Sequence, residues 1–160
     1  MKIAILTLRF ETNYGCLLQA YALQTALERL GHVVEHLQPQ PWFLHLHPAW
    51  QMPFVWVKRL YRKYLCGDRK LPVFENPYKW IRKYTDKFIE NNIHCRYLEE
   101  KEWGTGLVGD YDFFVVGSDQ VWRPRFALNL GQFFLNFLDG ANTGRISYSA
   151  SFGVDYDEYS

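Results

Sequence analysis

A hydroxyl, a carboxylate and an amide lie side by side in the chain at Ser118, Asp119 and Gln120. They follow residues 113–116, Phe-Phe-Val-Val, an apolar run whose aromatic and β-branched composition predicts a strand buried on both faces. Gly117 ends this run and predicts a tight turn. Because open α/β sheets bind ligands at the carboxyl ends of their strands, the three polar residues predict a site for a hydroxyl-rich ligand.

Two interpretations of this stretch are open. In the first, Asp119 is the acid/base residue of an active site, and the ring of Trp122 offers a stacking face to a sugar. In the second, Ser118 or Asp119 merely caps the helix that follows, since both residue types are good N-caps. Spacing alone assigns no catalytic partner to Asp119, and neither a Gly-x-Ser-x-Gly nor a His-Glu-x-x-His motif occurs in the sequence.

A second set of candidate ligand contacts consists of Asn13, Gly15 and Gln19. They lie at the predicted start of the first helix, where a Rossmann protein places its phosphate loop, although the Gly-x-Gly-x-x-Gly fingerprint is absent. A helix N-terminus offers free amides and the positive end of a dipole to an anion or a sugar hydroxyl. The alternative is an ordinary capped helix with a glycine in its first turn.

The elements that must position these residues begin with a β-α-β unit. Residues 3–8 form an apolar run that predicts a central strand, and apolar residues then recur at helical spacing over 14–30. Asn13 is a good cap for this helix, and Gly31 is a good stop. Residues 33–37 predict a second strand, and a unit of this kind requires a parallel pair joined by a right-handed crossover.

Later segments complete the predicted sheet. The patterns predict helices over 54–65 and 72–92, a strand over 95–98, a weak and broken helix over 99–109, a loop or short helix over 123–131, a strand over 133–138, a turn over 140–144 and a strand over 146–150. The last strand ends next to Ser151 and therefore brings another small polar residue to the carboxyl edge. The predicted fold class is α/β, a Rossmann-like, mainly parallel sheet with helices on both faces, in which residues 3–8 and 113–116 are central neighbours.

Composition narrows the function classes. The 160 residues are 48% apolar, which is enough for one α/β domain with a real core, and the net charge of +1 argues against a dedicated nucleic-acid binder. The three cysteines form no Cys-x-x-Cys motif, so a reducing cytoplasm is expected. His45 and His47 have no third ligand near them, so no metal is expected. The apolar run over 3–8 is too short for a signal peptide or a membrane span.

Residues 54–70 are basic, with aromatic residues interleaved. Such a stretch can rest on a membrane surface or meet an anionic acceptor. It can equally be a solvated face whose long side chains cover apolar surface. The first interpretation predicts peripheral contact with the inner face of a membrane for a protein that is otherwise cytoplasmic.

Three blocks of the chain resemble the N-terminal half of the polysaccharide pyruvyl transferases. They are residues 13–24, Asn-Tyr-Gly-Cys-Leu-Leu-Gln-Ala-Tyr-Ala-Leu-Gln, residues 115–122, Val-Val-Gly-Ser-Asp-Gln-Val-Trp, and residues 146–153, Ile-Ser-Tyr-Ser-Ala-Ser-Phe-Gly. The blocks occur in the family's order and span nearly the whole chain. One departure is Cys16, since many members of the family carry an acidic residue at this position.

The resemblance implies two Rossmann-like domains in a glycosyltransferase-B-like arrangement, with residues 1–160 as a single N-terminal domain and a donor-binding domain beyond Ser160. Members of the family transfer pyruvate from phosphoenolpyruvate to two hydroxyls of a sugar or lipid-linked oligosaccharide, which yields a cyclic ketal in surface polysaccharide. No cofactor is implied, and the chain alone is expected to be inactive.

In that reaction Asp119 is expected to be a catalytic acid/base or a ligand of the acceptor hydroxyls. The residues expected to bind substrate are Asn13, Gly15, Gln19, Ser118, Gln120, Trp122 and Ser151. Two other functions stay open, a glycosyltransferase-like enzyme that uses a nucleotide sugar and a sugar-binding domain without catalysis. Phosphate release from phosphoenolpyruvate in the presence of a sugar separates the first function from both alternatives.

Overall fold

The computed structural model describes residues 1–40, 57, 61, 81–127 and 129–158. The chain forms two compact units, one made of Met1–Pro39 with Tyr84–Ser160 and the other of Gln40–Lys83. In the second unit Val57 and Tyr61 are helical, and the rest of the helix predicted over 54–65 lies outside the described residues. The His45 and His47 pair, most of the basic segment 54–70 and the first part of the helix predicted over 72–92 lie outside them as well.

The first unit is built on a parallel sheet whose five strands are β1 (Lys2–Leu6), β2 (Val33–Pro39), β3 (Cys95–Leu98), β4 (Phe113–Asp119) and β5 (Gly144–Ala150). Their order is β3-β2-β1-β4-β5, and every neighbouring pair is parallel. β1 and β4 are central neighbours, with Ile3 opposite Phe113 and Leu6 opposite Val116. The predicted Rossmann-like α/β fold and the predicted central pair are both confirmed.

The helices whose bounds lie within the described residues include α1 (Tyr14–Arg29), α2 (Lys83–Asn92) and α3 (Leu130–Phe133). The predicted ends of α1 are confirmed. The side-chain oxygen of Asn13 accepts a hydrogen bond from the Cys16 amide at 3.3 Å and thus caps the helix. Gly31, at a φ of +85°, follows the last turn, and its amide donates to the Glu28 carbonyl at 2.9 Å.

Apolar side chains pack on both faces of the sheet. On one face Ile5 and Val115 lie in a core cluster with Leu23 of α1, and α1 packs on α2 through a second cluster that includes Cys16 and Ile89. The opposite face packs against short helical segments; its cluster includes Ala4, Leu6, Phe114, Val116, Leu107, Leu135 and Leu138. Successive residues of a strand point to opposite faces of the sheet, so an uninterrupted apolar strand presents apolar side chains on both faces. Both faces must then be covered, as the predicted helices on both sides require.

The strand predicted over 133–138 is wrong. These residues form the end of α3 and a 3-10 turn over Asn136–Leu138. Leu135 and Leu138 are the buried positions, and their separation of three residues is the spacing of a helical turn rather than of a strand. A short apolar run cannot distinguish the two by composition. The broken helix predicted over 99–109 contains the 3-10 turns Glu100–Glu102 and Thr105–Leu107.

The turn predicted at Gly117 is also wrong, because β4 continues through this residue to Asp119. Gly117 has a φ of +132°, and a side chain there would overlap the backbone carbonyl of Tyr148 on β5. Glycine is therefore required for close approach of β5 to β4, and the strand carries Asp119 further along the sheet than the apolar run suggested.

Candidate functional site

The strand order creates one switch in the direction of winding. From β1 the chain proceeds to β2 and β3 on one side, and it then crosses to β4 and β5 on the other side of β1. At such a point the connections leaving β1 and β4 run to opposite sides, which opens a crevice at the carboxyl ends of the two strands. Asp119 ends β4, and the loop 7–13 follows β1, so both lie at this edge.

The loop after β1 is held by Gln38, a residue of β2 that is 1% exposed. Its side-chain oxygen accepts a hydrogen bond from the Phe10 amide at 3.1 Å, and its nitrogen donates to the Leu8 carbonyl at 3.4 Å. The two bonds fix the backbone on either side of Arg9. Nothing in the sequence pattern marked Gln38, because it lies in a strand and its partners lie in a loop.

Arg9 is the cationic residue of this loop. Its Nε atom is buried and has no hydrogen-bond acceptor in the part of the chain that the structure describes, and its side chain forms no ion pair with a described residue. A guanidinium in this condition can receive a carboxylate or phosphate from a ligand. Arg9 was not among the residues predicted from the sequence to bind a ligand, and a lone arginine after a predicted central strand was the available signal.

Asp119 is partly buried at the end of β4 and has a φ of +143°. A residue other than glycine rarely adopts this conformation, which costs of order 1–3 kcal/mol and is common at functional sites. One carboxylate oxygen accepts a hydrogen bond from the Gln120 amide at 2.8 Å. The side chain is thereby oriented by its own backbone at the carboxyl edge of the sheet, where open α/β sheets in general bind ligands.

Cys16 links Asp119 to the first turn of α1. Burial raises the pKa of the Cys16 thiol, the negative charge of Asp119 raises it further, and a hydrogen bond with the Thr7 side chain opposes them, which leaves a value of about 11. The thiol also lies 3.9 Å from the Leu8 carbonyl, to which it can donate. The Cys16 side chain is therefore neutral near pH 7, and the start of α1 lies close to the carboxylate of Asp119.

The remaining candidate ligand contacts near the start of α1 are Gly15, Gln19 and the helix cap Asn13. Gly15 is exposed, and a side chain there would come within 3.2 Å of the side-chain oxygen of Asn13. Gln19 is exposed one turn further along the helix. Asn13 already uses its side-chain oxygen to cap α1, so its amide nitrogen is the group that remains for a ligand.

Ser151 and Trp122 are tied to Asp119 through the backbone. The Ser151 amide donates to the Asp119 carbonyl at 3.0 Å, and the Trp122 amide donates to the Ser151 carbonyl at 3.3 Å. The side-chain oxygen of Gln120 accepts from Arg123 at 3.1 Å. The backbone of Ser118 lies in β4, and its side chain falls outside the described part of the structure.

The ring of Trp122 packs against aromatic neighbours from two other segments. It stacks on Phe134 with ring centres 5.9 Å apart and planes at 13°, and it contacts Phe152 at 5.5 Å. Its ring nitrogen donates to the Phe133 carbonyl at 3.2 Å. Phe134 and Phe152 are 45% and 43% exposed, whereas Trp122 is partly buried.

A family model for the polysaccharide pyruvyl transferases matches residues 13–160. The chain belongs to this family. The match begins at the cap of α1 and includes Asp119, Ser151 and the aromatic residues around Trp122. A search of curated proteins found no match to the chain.

Membership of the polysaccharide pyruvyl transferases makes this chain part of a transferase family, and the family's name implies a polysaccharide acceptor. Among the residues that the structure describes, no group of three or more histidine, cysteine or acidic side chains comes together to hold a metal ion. The helices described here include none that is long and apolar enough to cross a membrane.

Proposed function

We propose that this polysaccharide pyruvyl transferase chain is the acceptor-binding, N-terminal Rossmann-like domain, residues 1–160, of an enzyme that moves pyruvate from phosphoenolpyruvate to two hydroxyls of a sugar. The acceptor is a sugar or a lipid-linked oligosaccharide of a surface polysaccharide. The observation that carries the proposal is the carboxylate of Asp119, held at the switch point on backbone with a φ of +143°.

The reaction needs proton transfer at two kinds of atom. A general acid adds a proton to the methylene carbon of phosphoenolpyruvate, and the neighbouring carbon then develops oxocarbenium character. One sugar hydroxyl bonds to that carbon, the second displaces phosphate, and both hydroxyls lose their protons. We assign Asp119 to the acceptor side, where its carboxylate accepts a hydrogen bond or a proton from an attacking hydroxyl.

The surroundings of Asp119 support that assignment. The side chains of Gln120 and Ser151 lie at the same end of the β4 and β5 pair and offer hydrogen bonds to further hydroxyls. The thiol of Cys16 is neutral near pH 7, so it adds no negative charge next to the carboxylate. Asn13, Gly15 and Gln19 extend the same edge along the first turns of α1.

The donor carries charges on its phosphate and carboxylate groups and needs cations. Arg9 supplies one cation at the switch point that has no partner among the described residues. We propose that a second domain contributes the other basic groups and that the donor lies between the two domains. Arg9 then contacts the donor, while Asp119 contacts the acceptor.

Phosphate release by the full-length protein, incubated with phosphoenolpyruvate and a panel of sugars, tests the proposal. We expect sugar-dependent release in the wild type and a large loss in Asp119→Asn. Asp139→Asn is a matched control, since Asp139 is an exposed aspartate that pairs with Arg145 away from the switch point. Binding of a nucleotide sugar without any reaction of phosphoenolpyruvate would contradict the proposal and favour a glycosyltransferase.

A further inference from the structure

Three aromatic side chains lie together next to the carboxyl end of β4 and β5. Trp122 stacks on Phe134 and contacts Phe152, and we call these three residues the aromatic platform. Phe134 and Phe152 are 45% and 43% exposed. Apolar side chains usually gain stability by burial, so two large exposed rings that share a neighbour indicate a surface that binds something.

The aromatic platform is connected to Asp119 by short backbone links. Phe152 directly follows Ser151, whose amide donates to the Asp119 carbonyl at 3.0 Å. Trp122 is bound to the Ser151 carbonyl through its own amide at 3.3 Å. The aromatic platform and Asp119 therefore both lie at the carboxyl end of the β4 and β5 pair.

Polar side chains lie close to the platform in the chain. The side chain of Gln120 packs against Gly153, the residue after Phe152, and accepts a hydrogen bond from Arg123 at 3.1 Å. Arg123 in turn donates to both carboxylate oxygens of Glu158, at 2.8 and 2.7 Å. A lipid chain or a purely apolar protein surface forms no hydrogen bonds with such polar side chains. A sugar binds best where an apolar surface and hydrogen-bonding groups lie together.

We propose that the aromatic platform binds one pyranose ring of the acceptor, which places a neighbouring hydroxyl pair at Asp119; this inference rests on the function proposed above. One face of a pyranose presents C–H groups, and the electron-rich face of an aromatic ring attracts them. The hydroxyls around the sugar then point toward Gln120 and Ser151. The sequence predicts that Trp122 stacks on the sugar. In the proposed arrangement the exposed rings of Phe134 and Phe152 contact the sugar, and the ring of Trp122 packs behind them.

Steady-state kinetics of the full-length enzyme test the platform. Phe134→Leu and Phe152→Leu keep the side chains apolar and remove the aromatic face. Each should raise the KM for the sugar roughly 3- to 10-fold and leave the KM for phosphoenolpyruvate unchanged. Tyr97→Leu is the matched control, because Tyr97 is 42% exposed on β3, the opposite edge strand of the sheet. An equal rise in both KM values would overturn the inference and indicate that the platform packs against another part of the enzyme.

Ligand-observed NMR on the 160-residue chain gives a readout that does not need catalysis. Saturation transferred from the protein to methyl hexopyranosides should be strongest at the ring C–H protons. This transfer should be lost in the double variant that carries both Phe134→Leu and Phe152→Leu. Sorbitol, which has hydroxyls but no ring, should receive little saturation. Equal transfer to sorbitol, or an unchanged hexoside signal in the double variant, would overturn the platform even if phosphate release occurs.

Two further results separate the platform from the proposed reaction and from a dimer interface. Saturation transfer to the hexoside that depends on both phenylalanines, in a protein that releases no phosphate from phosphoenolpyruvate, would support the platform and overturn the proposed reaction. Sedimentation of wild type and double variant checks whether a second copy of the chain covers the rings. If the double variant no longer self-associates and saturation transfer to the hexoside is unchanged, the rings form a dimer interface and the inference is overturned. If the double variant does not fold, the wild type still tests the platform. Saturation transfer must be strongest at the ring C–H protons of the hexoside and weak for sorbitol.

Discussion

The carboxylate of Asp119 and the thiol of Cys16 interact across the switch point. Burial raises the pKa of the thiol, and the charge of Asp119 raises it further, to about 11. Asp119 ends β4 and Cys16 lies in the first turn of α1, so the interaction joins the two parts of the chain that carry most of the candidate ligand contacts. Because the thiol is neutral near pH 7, it adds no negative charge near the Asp119 carboxylate.

Alkylation rates should report this interaction. In Asp119→Asn the pKa of Cys16 should fall, so iodoacetamide should modify Cys16 faster than in the wild type at pH 8. Cys95 is the internal control: burial raises the pKa of its thiol to about 11 as well, and Asp119 makes no contribution there. Mass spectrometry of the two peptides gives both rates in one experiment. Equal acceleration at both cysteines would mean that the variant loosens the fold and that the electrostatic interaction is absent.

Replacing Asp119 separates its role in function from its effect on stability. Asp119→Asn keeps an acceptor for the Gln120 amide, so we expect an unchanged melting temperature and a loss of turnover of roughly 10²- to 10⁴-fold in the full-length enzyme. Asp119→Gly should be equally inactive but no less stable than the wild type, because glycine adopts a φ of +143° without strain.

A glycine at an ordinary strand position is the control for that variant. Ser147→Gly in β5 should lower stability by about 0.5–1 kcal/mol, since Ser147 has no positive φ to relieve. Thermal melts of the three variants give the comparison. Turnover near the wild-type rate in Asp119→Asn would return Asp119 to a structural role.

The parts of the fold that the sequence predicted are those that a continuous pattern determines. The uninterrupted apolar runs of β1 and β4 predicted a central pair, and the same run placed Asp119 at the carboxyl end of β4. The electrostatic interaction of Cys16 with Asp119 and the hydrogen bonds of Gln38 to the loop around Arg9 depend on distances between segments far apart in the chain. No local period encodes such contacts.

The aromatic platform shows the same limit. Phe134 was placed in a predicted strand because a short apolar run satisfies both a strand and a helical turn. Its stacking on Trp122 becomes visible only when the turn is known. Trp122 was predicted to offer a stacking face, but no pattern in the sequence indicated that more exposed rings from two other segments pack against it.

His36 makes the stability of the chain dependent on pH. The residue is fully buried in β2 beside Phe10, and its ring nitrogens have no hydrogen bond of normal geometry to described residues. Burial lowers its pKa to about 4; the backbone of Ala20 opposes this shift, and the neighbouring His94 adds to it. The unfolded chain binds a proton at His36 below its ordinary pKa of 6.5, before the folded chain can. Stability is therefore fully present above pH 6.5 and is lost as pH falls to about 4.

Variants at His36 should flatten this dependence. The wild type should lose at most about 3 kcal/mol through His36 over that range, an upper bound because structural relaxation reduces it. His36→Leu and His36→Gln both remove the titrating group, and they differ in polarity. Urea unfolding at pH 7 and pH 4.5 should show a smaller difference for both variants than for the wild type. A difference equal to that of the wild type would mean that carboxylates elsewhere cause the acid loss.

Phosphoenolpyruvate should bind the 160-residue chain only weakly. Many cations of the first unit are already paired, as in the ion pairs of Arg96 with Asp110 and of Arg123 with Glu158. Arg9 can contribute about 3 kcal/mol in charged hydrogen bonds, and the N-terminus of α1 adds about 1 kcal/mol at most. Their total is close to the roughly 4 kcal/mol that corresponds to a millimolar Kd, before the entropic cost of binding is subtracted. We therefore expect a Kd weaker than about 1 mM.

A thermal-shift titration measures this directly, because a ligand that binds the folded state stabilises it by RT ln(1 + [L]/Kd). Millimolar phosphoenolpyruvate should leave the melting temperature of the chain nearly unchanged and raise that of the full-length protein. Arg9→Gln in the full-length protein should reduce the rise, whereas Arg145→Gln, which removes an arginine paired with Asp139, should not. A large rise with the chain alone, abolished by Arg9→Gln, would place the donor site in this half of the enzyme. The proposed division of labour between the two domains would then be wrong, because Arg9 and the first turn of α1 would hold the donor without help from a second domain.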